Sequence, residues 1–366
     1  MRQEYGVPRF DLEQPYIHGG ATVGAVHELA QRILSKLKKV SDVSLPVCLV
    51  AEDRSVIAAT LLASLAGGPR LLLPHSFSQA VLSELRASMP FCAVVTDVQR
   101  ELPKDLHVVC EKLVEGKNEQ VKFVRDLDEP FVWLFTGGST GQSSAWSKTP
   151  GNLLAEARYL TKYFGILERD VILPTVPPLH IYGLIFSVLI PYVSGASVFA
   201  KSSFFPQEIV SRVEDGSCSV LVSSPVHYRA LRNSSFDRHG LRVAFSSGGP
   251  LNPAHAKAFH SVTGVGVEDI FGSTETGAIA NRKWNPGEEP WRVFDAVEWK
   301  VEDELLHVSS RFVSPDLKSG SGPLFSTADR VSVDSQNNIR LLGRVDNVIK
   351  VGGKRVDLGE VEEAIK

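Results

Sequence analysis

Along residues 23–39 the apolar side chains Val26, Leu29, Ile33 and Leu37 recur at three- and four-residue intervals, the stripe of an amphipathic helix. Beyond it the texture alternates. Short, nearly continuous apolar runs at 47–51, 70–73, 93–96 and 131–136 are separated by stretches of helical period at 55–65 and 79–87. A strand that is apolar on both faces needs cover on both faces, so these runs predict strands buried between helices in a βαβ arrangement. The alternation continues with helices over 152–164, 206–213 and 253–262, and strands over 171–176, 197–200, 219–222, 242–245 and 266–271. After Phe271 the pattern changes. Residues 291–301, 304–309, 330–333 and 338–342 predict short strands joined by turns such as Val301-Glu302-Asp303 and Asp334-Ser335-Gln336-Asn337. The expectation is an α/β protein with α/β subdomains over about 1–270 and a smaller β-rich subdomain over about 285–343. The closing VDLGEVEEAIK predicts the start of a helix.

Composition narrows the class of partner. A chain of 366 residues with 43% apolar composition can bury a large core, and its length predicts two or three folding units. A net charge of −3 supplies no basic field of the kind that draws proteins to nucleic acid or anionic membrane, so a small-molecule substrate is expected. Cys48, Cys92, Cys110 and Cys218 are widely spaced, without a CxxC pair or a histidine at metal-ligand spacing, and read as buried thiols of a cytoplasmic protein. The opening MRQEYGVPRF has no apolar stretch of the signal-peptide kind. The longest apolar run, Leu184 to Val193, is too short to span a bilayer and contains Pro191.

The candidate chemistry starts at Phe135-Thr-Gly-Gly-Ser-Thr-Gly-Gln-Ser-Ser144, directly after an apolar strand. Glycines and hydroxyls let backbone approach a phosphate closely, with N–H and O–H donors to spare. The segment lacks the GK[ST] of a Walker loop, and taken singly it reads equally as a solvated turn. Downstream lie Phe245-Ser-Ser-Gly-Gly-Pro-Leu251, Asp269-Ile-Phe-Gly-Ser-Thr-Glu-Thr-Gly277, Ser326-Thr-Ala-Asp-Arg330 and Gly343-Arg-Val-Asp-Asn-Val-Ile-Lys350. In this order the five segments, spread over residues 135–358, resemble the signatures of the adenylate-forming superfamily: acyl- and aryl-CoA synthetases, luciferases and peptide-synthetase adenylation domains.

The resemblance implies the adenylate-forming fold, with two layered α/β subdomains and a small β-barrel-like subdomain, and it assigns roles. The loop Thr136, Gly137, Gly138, Ser139, Thr140 and Gly141 would hold ATP phosphates. Gly248, Gly249 and Pro250 would let backbone pass beside the purine. Phe271 would pack its ring on the adenine, with Gly272 and Ser273 beside it. Thr274 would donate to the α-phosphate and Glu275 would hold Mg²⁺, which prefers hard oxygen ligands. Asp329 would accept the ribose hydroxyls and Arg344 would add a charged donor near them. His180, in Pro177-Pro-Leu-His-Ile-Tyr-Gly183, matches a segment beside the acyl pocket. Each of these residues also has an ordinary structural reading: a core phenylalanine, turn glycines, a surface glutamate, an ion-paired aspartate, a structural histidine. No carboxylate follows the His180 segment in Ile185-Phe-Ser-Val-Leu189, and a buried substrate ammonium would need one. An aryl or aliphatic acid is therefore expected rather than an amino acid.

The chain departs from the family pattern twice. Ser143-Ser144 stands where the family has Pro-Lys, and Lys148 is a candidate replacement for that lysine. Residues 344–366 read as the hinge and start of a C-terminal domain, with most of the family's lid, and its catalytic lysine, missing. Losing one preorganised cation typically costs about 10²–10³-fold in rate. The implied reaction is ATP-dependent activation of a carboxylic acid to an acyl-adenylate, with release of pyrophosphate and transfer to CoA or to the pantetheine of an acyl carrier protein. The competing reading is a degenerate, non-catalytic nucleotide- or acyl-binding module.

Overall fold

A computed structural model of the chain describes residues 11–40, 44–98, 106–111, 120–136, 144–285, 287–288, 290–317, 324–346, 348–351 and 354–357. The chain forms two compact units. The first comprises Met1–Phe135 with Ala145–Ser202, and the second Thr136–Ser144 with Ser203–Lys366.

In the first unit the elements follow as α1 (Val23–Val40), β1 (Val47–Val50), α2 (Arg54–Leu65), β2 (Leu71–Leu73), α3 (Gln79–Ser88), β3 (Ala93–Thr96), β4 (His107–Val109), β5 (Val132–Thr136), β6 (Ser144–Lys148), α4 (Pro150–Tyr163), β7 (Val171–Pro174), α5 (Ile181–Leu184), α6 (Ile190–Ser194) and β8 (Ser197–Val198). One sheet has the order β4-β3-β1-β2-β5-β6. Its pairs from β4 through β5 are parallel, so each return to the sheet needs a crossover; α2 supplies the one from β1 to β2 and α3 the one from β2 to β3. The apolar stripe of α1 is buried as its period requires: Val26, Leu29 and Ile33 are inaccessible to solvent. Each such side chain contributes about 1.5–3 kcal/mol relative to exposure. Unlike α1, α2 is buried along its whole length. Asp53 caps it by accepting from the Ser55 N–H. Thr149 and Asn152 cap α4 reciprocally, each side chain accepting from the other's backbone at 3.0 Å. Between α5 and α6 the helix widens into a π turn, Ile185–Leu189, just ahead of Pro191, which has no N–H to donate and would crowd a regular turn.

The second unit continues with α7 (Pro206–Glu214), β9 (Val220–Ser223), α8 (Pro225–Leu231), β10 (Val243–Ser246), α9 (Pro253–Thr263), β11 (Val267–Ser273), β12 (Gly277–Asn285), β13 (Gly287–Glu288), β14 (Arg292–Val293), β15 (Glu298–Glu302), β16 (Leu305–Ser309), β17 (Phe325–Val333), β18 (Ile339–Arg344), β19 (Val348–Val351) and β20 (Lys354–Asp357). Strands β9, β10 and β11 are parallel neighbours, and β12 then doubles back antiparallel on β11. Strands β15 to β18 form a four-stranded antiparallel sheet. Its first hairpin turns on Asp303 and Glu304, both at positive φ, the two-residue geometry that follows the natural twist of paired strands.

Several expectations are corrected. The β-rich region closes into no barrel among the described residues; it is an open four-stranded sheet followed by the β19–β20 hairpin. The segment 291–301 is two strands rather than one, broken where the Val297 N–H turns back to Phe294. Strand β20 occupies Val356 and Asp357 where a helix start was expected, and residues 358–366 lie outside the described residues. Of the four cysteines, Cys48 and Cys218 are buried, but Cys92 is half-buried and Cys110 exposed; all four are free thiols. Among the described residues no helix is long and apolar enough to cross a membrane.

His27 of α1 is buried in the first unit, and its Nδ1 accepts from the Val121 N–H at 3.1 Å. The neutral ring therefore carries its proton on Nε2, which lies 3.1 Å from the Tyr192 hydroxyl. Burial pushes its pKa down to about 4. In the unfolded chain the ring titrates near 6.5, so between pH 6.5 and 4 the unfolded state binds the extra proton. His27 thus contributes stability that is present above pH 6.5 and lost as pH falls through 4, amounting to about 3 kcal/mol. Denaturant unfolding across this range is expected to show a shallower loss in His27→Gln than in the parent chain; equal slopes would contradict the assignment.

Candidate functional site

The parallel strands of the second unit place their following loops along one edge, the usual location of ligand sites in such sheets. After β10 come Ser247, Gly248, Gly249 and Pro250. The Ser247 hydroxyl donates to the Ile270 carbonyl at 2.9 Å and so ties this loop to β11, beside Phe271. Gly248 sits at φ +87°, and a Cβ at Gly249 would meet nothing within 4 Å. Open space beside the loop backbone is what a flat ligand would need.

Strand β11 carries Phe271 to the same edge. A bulge between Phe271 and Gly272 interrupts its pairing with β12. Gly272 is required by close approach, because a Cβ there would lie 2.3 Å from the Gly277 carbonyl oxygen. The hairpin that follows is locked by Ser273 and Thr276, whose hydroxyls are 2.8 Å apart and each of which also accepts from the other's N–H. Between them stand Thr274, half-buried, and Glu275, buried, whose carbonyl accepts from the Ser314 N–H at 2.7 Å.

Asp329 and Arg344 face each other across the β17–β18 ladder. Arg344 Nη1 donates to Asp329 Oδ1 at 3.2 Å, while its Nε and Nη2 donate to Asp346 at 2.8 and 2.6 Å. These hydrogen bonds to Asp346 raise the guanidinium pKa. Partial burial opposes the rise, and the charges of Asp329, Asp346 and Glu275 add to it. Glu275, Asp329 and Arg344, separated by up to 69 positions in sequence, therefore share one electrostatic neighbourhood within the second unit. Thr136 donates to the Ser144 carbonyl at 3.4 Å, closing the base of its loop. Gly137, Gly138, Ser139, Thr140 and Gly141 lie outside the described residues.

His180 belongs to the first unit. It precedes α5, and Gly183 one turn later is required by packing, since a Cβ there would sit 2.0 Å from the Pro177 carbonyl oxygen. Loss of hydration and the neighbouring His75 lower the His180 pKa, although the residue keeps an exposed surface. Sequence reasoning missed the residue that anchors this segment. Arg54 is fully buried and donates to the carbonyls of Val176 and Ala200, each at 3.2 Å, and to the Ser202 hydroxyl at 3.0 Å. Burial pushes its pKa down to about 9, against the opposing charges of Tyr16 and Asp53. The signal was an arginine opening an otherwise apolar helix. Lys148, the candidate substitute for the loop lysine, is fully buried in β6 and presents no ammonium to a solvent-borne phosphate.

The AMP-binding enzyme family matches residues 34–309, well over half of the sequence. This chain belongs to that family. Among its sequence relatives, a 4-coumarate–CoA ligase from Rhodobacter capsulatus is 26% identical over 236 residues, covering 63% of this chain and 56% of the relative. An acetyl-coenzyme A synthetase from Shewanella denitrificans is 27% identical over 284 residues, covering 66% and 44%. The chain thus spans about half the length of the curated relatives it matches. The crystal structure of ATP-bound MatB from Rhodopseudomonas palustris superposes with a TM-score of 0.79 at 19% identity, covering 99% of this chain and 82% of that one. The fold is that of the adenylate-forming enzymes.

Gly183→Ala is expected to destabilise the chain by about 2–3 kcal/mol, the cost of overpacking against backbone that cannot yield. Gly249→Ala, whose methyl meets open space, should stay within about 0.5 kcal/mol of the parent. Chemical denaturation compares them, and a reversed order would contradict the packing described.

Proposed function

We propose that the chain binds Mg·ATP and a carboxylic acid and forms an acyl-adenylate, as an acid–thiol ligase of the acyl- or aryl-CoA synthetase kind. The observation that carries this reading is the Arg344–Asp329 pair, in the unit whose β11 edge also presents Phe271, the Gly248–Gly249 loop and, in the hairpin that follows, Thr274 and Glu275. In the reaction a carboxylate oxygen attacks the α-phosphorus and the bond to the β-phosphate breaks. Pyrophosphate leaves with the electron pair. A thiol sulfur then attacks the acyl carbon and AMP departs. The thiol belongs to CoA, as in the names of the relatives, or to a carrier-protein pantetheine.

In this reading Phe271 stacks on the adenine, and Asp329 accepts from the ribose hydroxyls with Arg344 holding its carboxylate in place. Thr274 and the Thr136 loop donate to phosphate. Glu275 is the protein ligand for Mg²⁺. Glu275 would supply one oxygen to such an ion, and phosphate and water would supply the rest. When bound, such an ion offsets phosphate charge and orients the leaving group. His180 and the apolar stretch from Ile181 border the acid, for which an aryl or aliphatic group suits the absence of a carboxylate in 185–189. Residues 1–343 form the domain that holds these groups, and 344–366 the hinge beyond it.

Carboxylate-dependent exchange of pyrophosphate into ATP, run over a panel of aryl and fatty acids, tests the reading. At least one acid should support exchange, and Asp329→Ala should lower its rate about 10²–10³-fold. AMP binding without exchange for any acid would instead favour a non-catalytic nucleotide-binding module. Absence of both would overturn the nucleotide site itself.

A further inference from the structure

Beside the candidate nucleotide site lies a stack of side chains to which none of the roles above is assigned. Asp269 is buried two residues before Phe271, directly across the ladder from Arg282. Arg282 donates to its Oδ2 through Nε at 3.2 Å and Nη2 at 3.0 Å, and Trp284 Nε1 reaches the same oxygen at 3.4 Å. The guanidinium so held lies 4.4 Å from the ring centroids of both Trp284 and Trp291. The far neighbour of Trp291 is Phe271, with ring centroids 5.7 Å apart and planes at 60°. The Trp291 carbonyl, in turn, accepts from the Ile339 N–H at 3.0 Å, and Ile339 begins β18, the strand that ends at Arg344.

We propose that Trp291 is a positioning residue for the nucleotide: its indole sets the tilt of the Phe271 ring, and its backbone ties that ring to the strand bearing the Asp329–Arg344 pair. This inference rests on the reading that Phe271 faces adenine. The bulge after Phe271 removes the regular ladder at the position where the ring must be fixed, so orientation has to come from a side-chain wall. Trp291 supplies that wall and is itself held by the Arg282 cation over its ring. The cation cannot wander, because a buried carboxylate holds it from the opposite strand. An aliphatic side chain of similar bulk would fill the same space, but would offer no flat face to either Phe271 or Arg282. The stack therefore acts on ring geometry, and the ring in turn on the base.

The test compares Trp291→Leu, Trp291→Phe and Arg282→Lys with the parent chain, using calorimetric titration with AMP and the KM values for ATP and for the acid. Trp291→Leu should weaken AMP binding about ten-fold, the order expected for one aromatic contact. It should raise the KM for ATP while leaving the KM for the acid and kcat unchanged, a split that general loosening of the fold would not give. Trp291→Phe should restore AMP binding to within about three-fold of the parent, since it keeps an aromatic face. A folded Trp291→Leu that binds AMP as tightly as the parent overturns the proposal. Should that variant not fold, Arg282→Lys decides: it keeps the charge on Asp269 but loses the flat guanidinium, and undiminished AMP binding again overturns the proposal. If the parent itself takes up no adenine nucleotide, the reading of the site fails rather than the role of Trp291.

Discussion

Arg344 is held between Asp329 and Asp346, and the charge of Glu275 adds to the stabilisation of its cation. Gathering carboxylates in a partly buried region costs desolvation free energy, which one arginine offsets only if its geometry is fixed. Here the fixing is done by backbone. The β17–β18 register puts Asp329 opposite Arg344, and the Asp329 N–H is itself oriented toward the Thr327 hydroxyl at 3.2 Å. With two carboxylates hydrogen-bonded to one guanidinium, the pair of strands carries surplus negative charge at this point.

The base side of the same unit depends on topology rather than charge. Strands β9 to β11 run parallel, so the Gly248–Gly249 loop and the Ser273–Gly277 hairpin emerge on one edge without any special device. The antiparallel return of β12 then brings Arg282 over Asp269, and Trp291 follows to close the group behind Phe271. Elements that look unrelated in sequence thus meet because a parallel sheet ends in an antiparallel turn.

Much of this was legible in the sequence where one physical signal dominated. The stripe of α1 and the two-sided apolar runs of β1, β2, β3 and β5 named their elements because burial alone decides such segments. Strand β6 was missed because Ser144-Ala-Trp-Ser-Lys148 looks polar and adjoins the glycine loop, and β12 because a bulge breaks its alternation. The candidate residues were legible as motifs in order, and two of them, Asp329 and Arg344, hydrogen-bond across the β17–β18 ladder. Arg54, Arg282 and Trp291 were not legible. Their importance arises from partners brought in by folding: carbonyls near positions 176 and 200 for Arg54, and aromatic faces for the other two. Lys148 shows the converse, a plausible residue in sequence that packing removes from the surface.

In the proposed function one nucleotide spans the base loop and the Asp329–Arg344 pair. A crystal structure of the chain soaked with ATP and Mg²⁺ tests it most directly. Adenine density is expected against the Phe271 ring, with ribose hydroxyls within hydrogen-bonding distance of Asp329 and the metal beside Glu275. Nucleotide bound at another place, with Phe271 and Asp329 untouched, would contradict it.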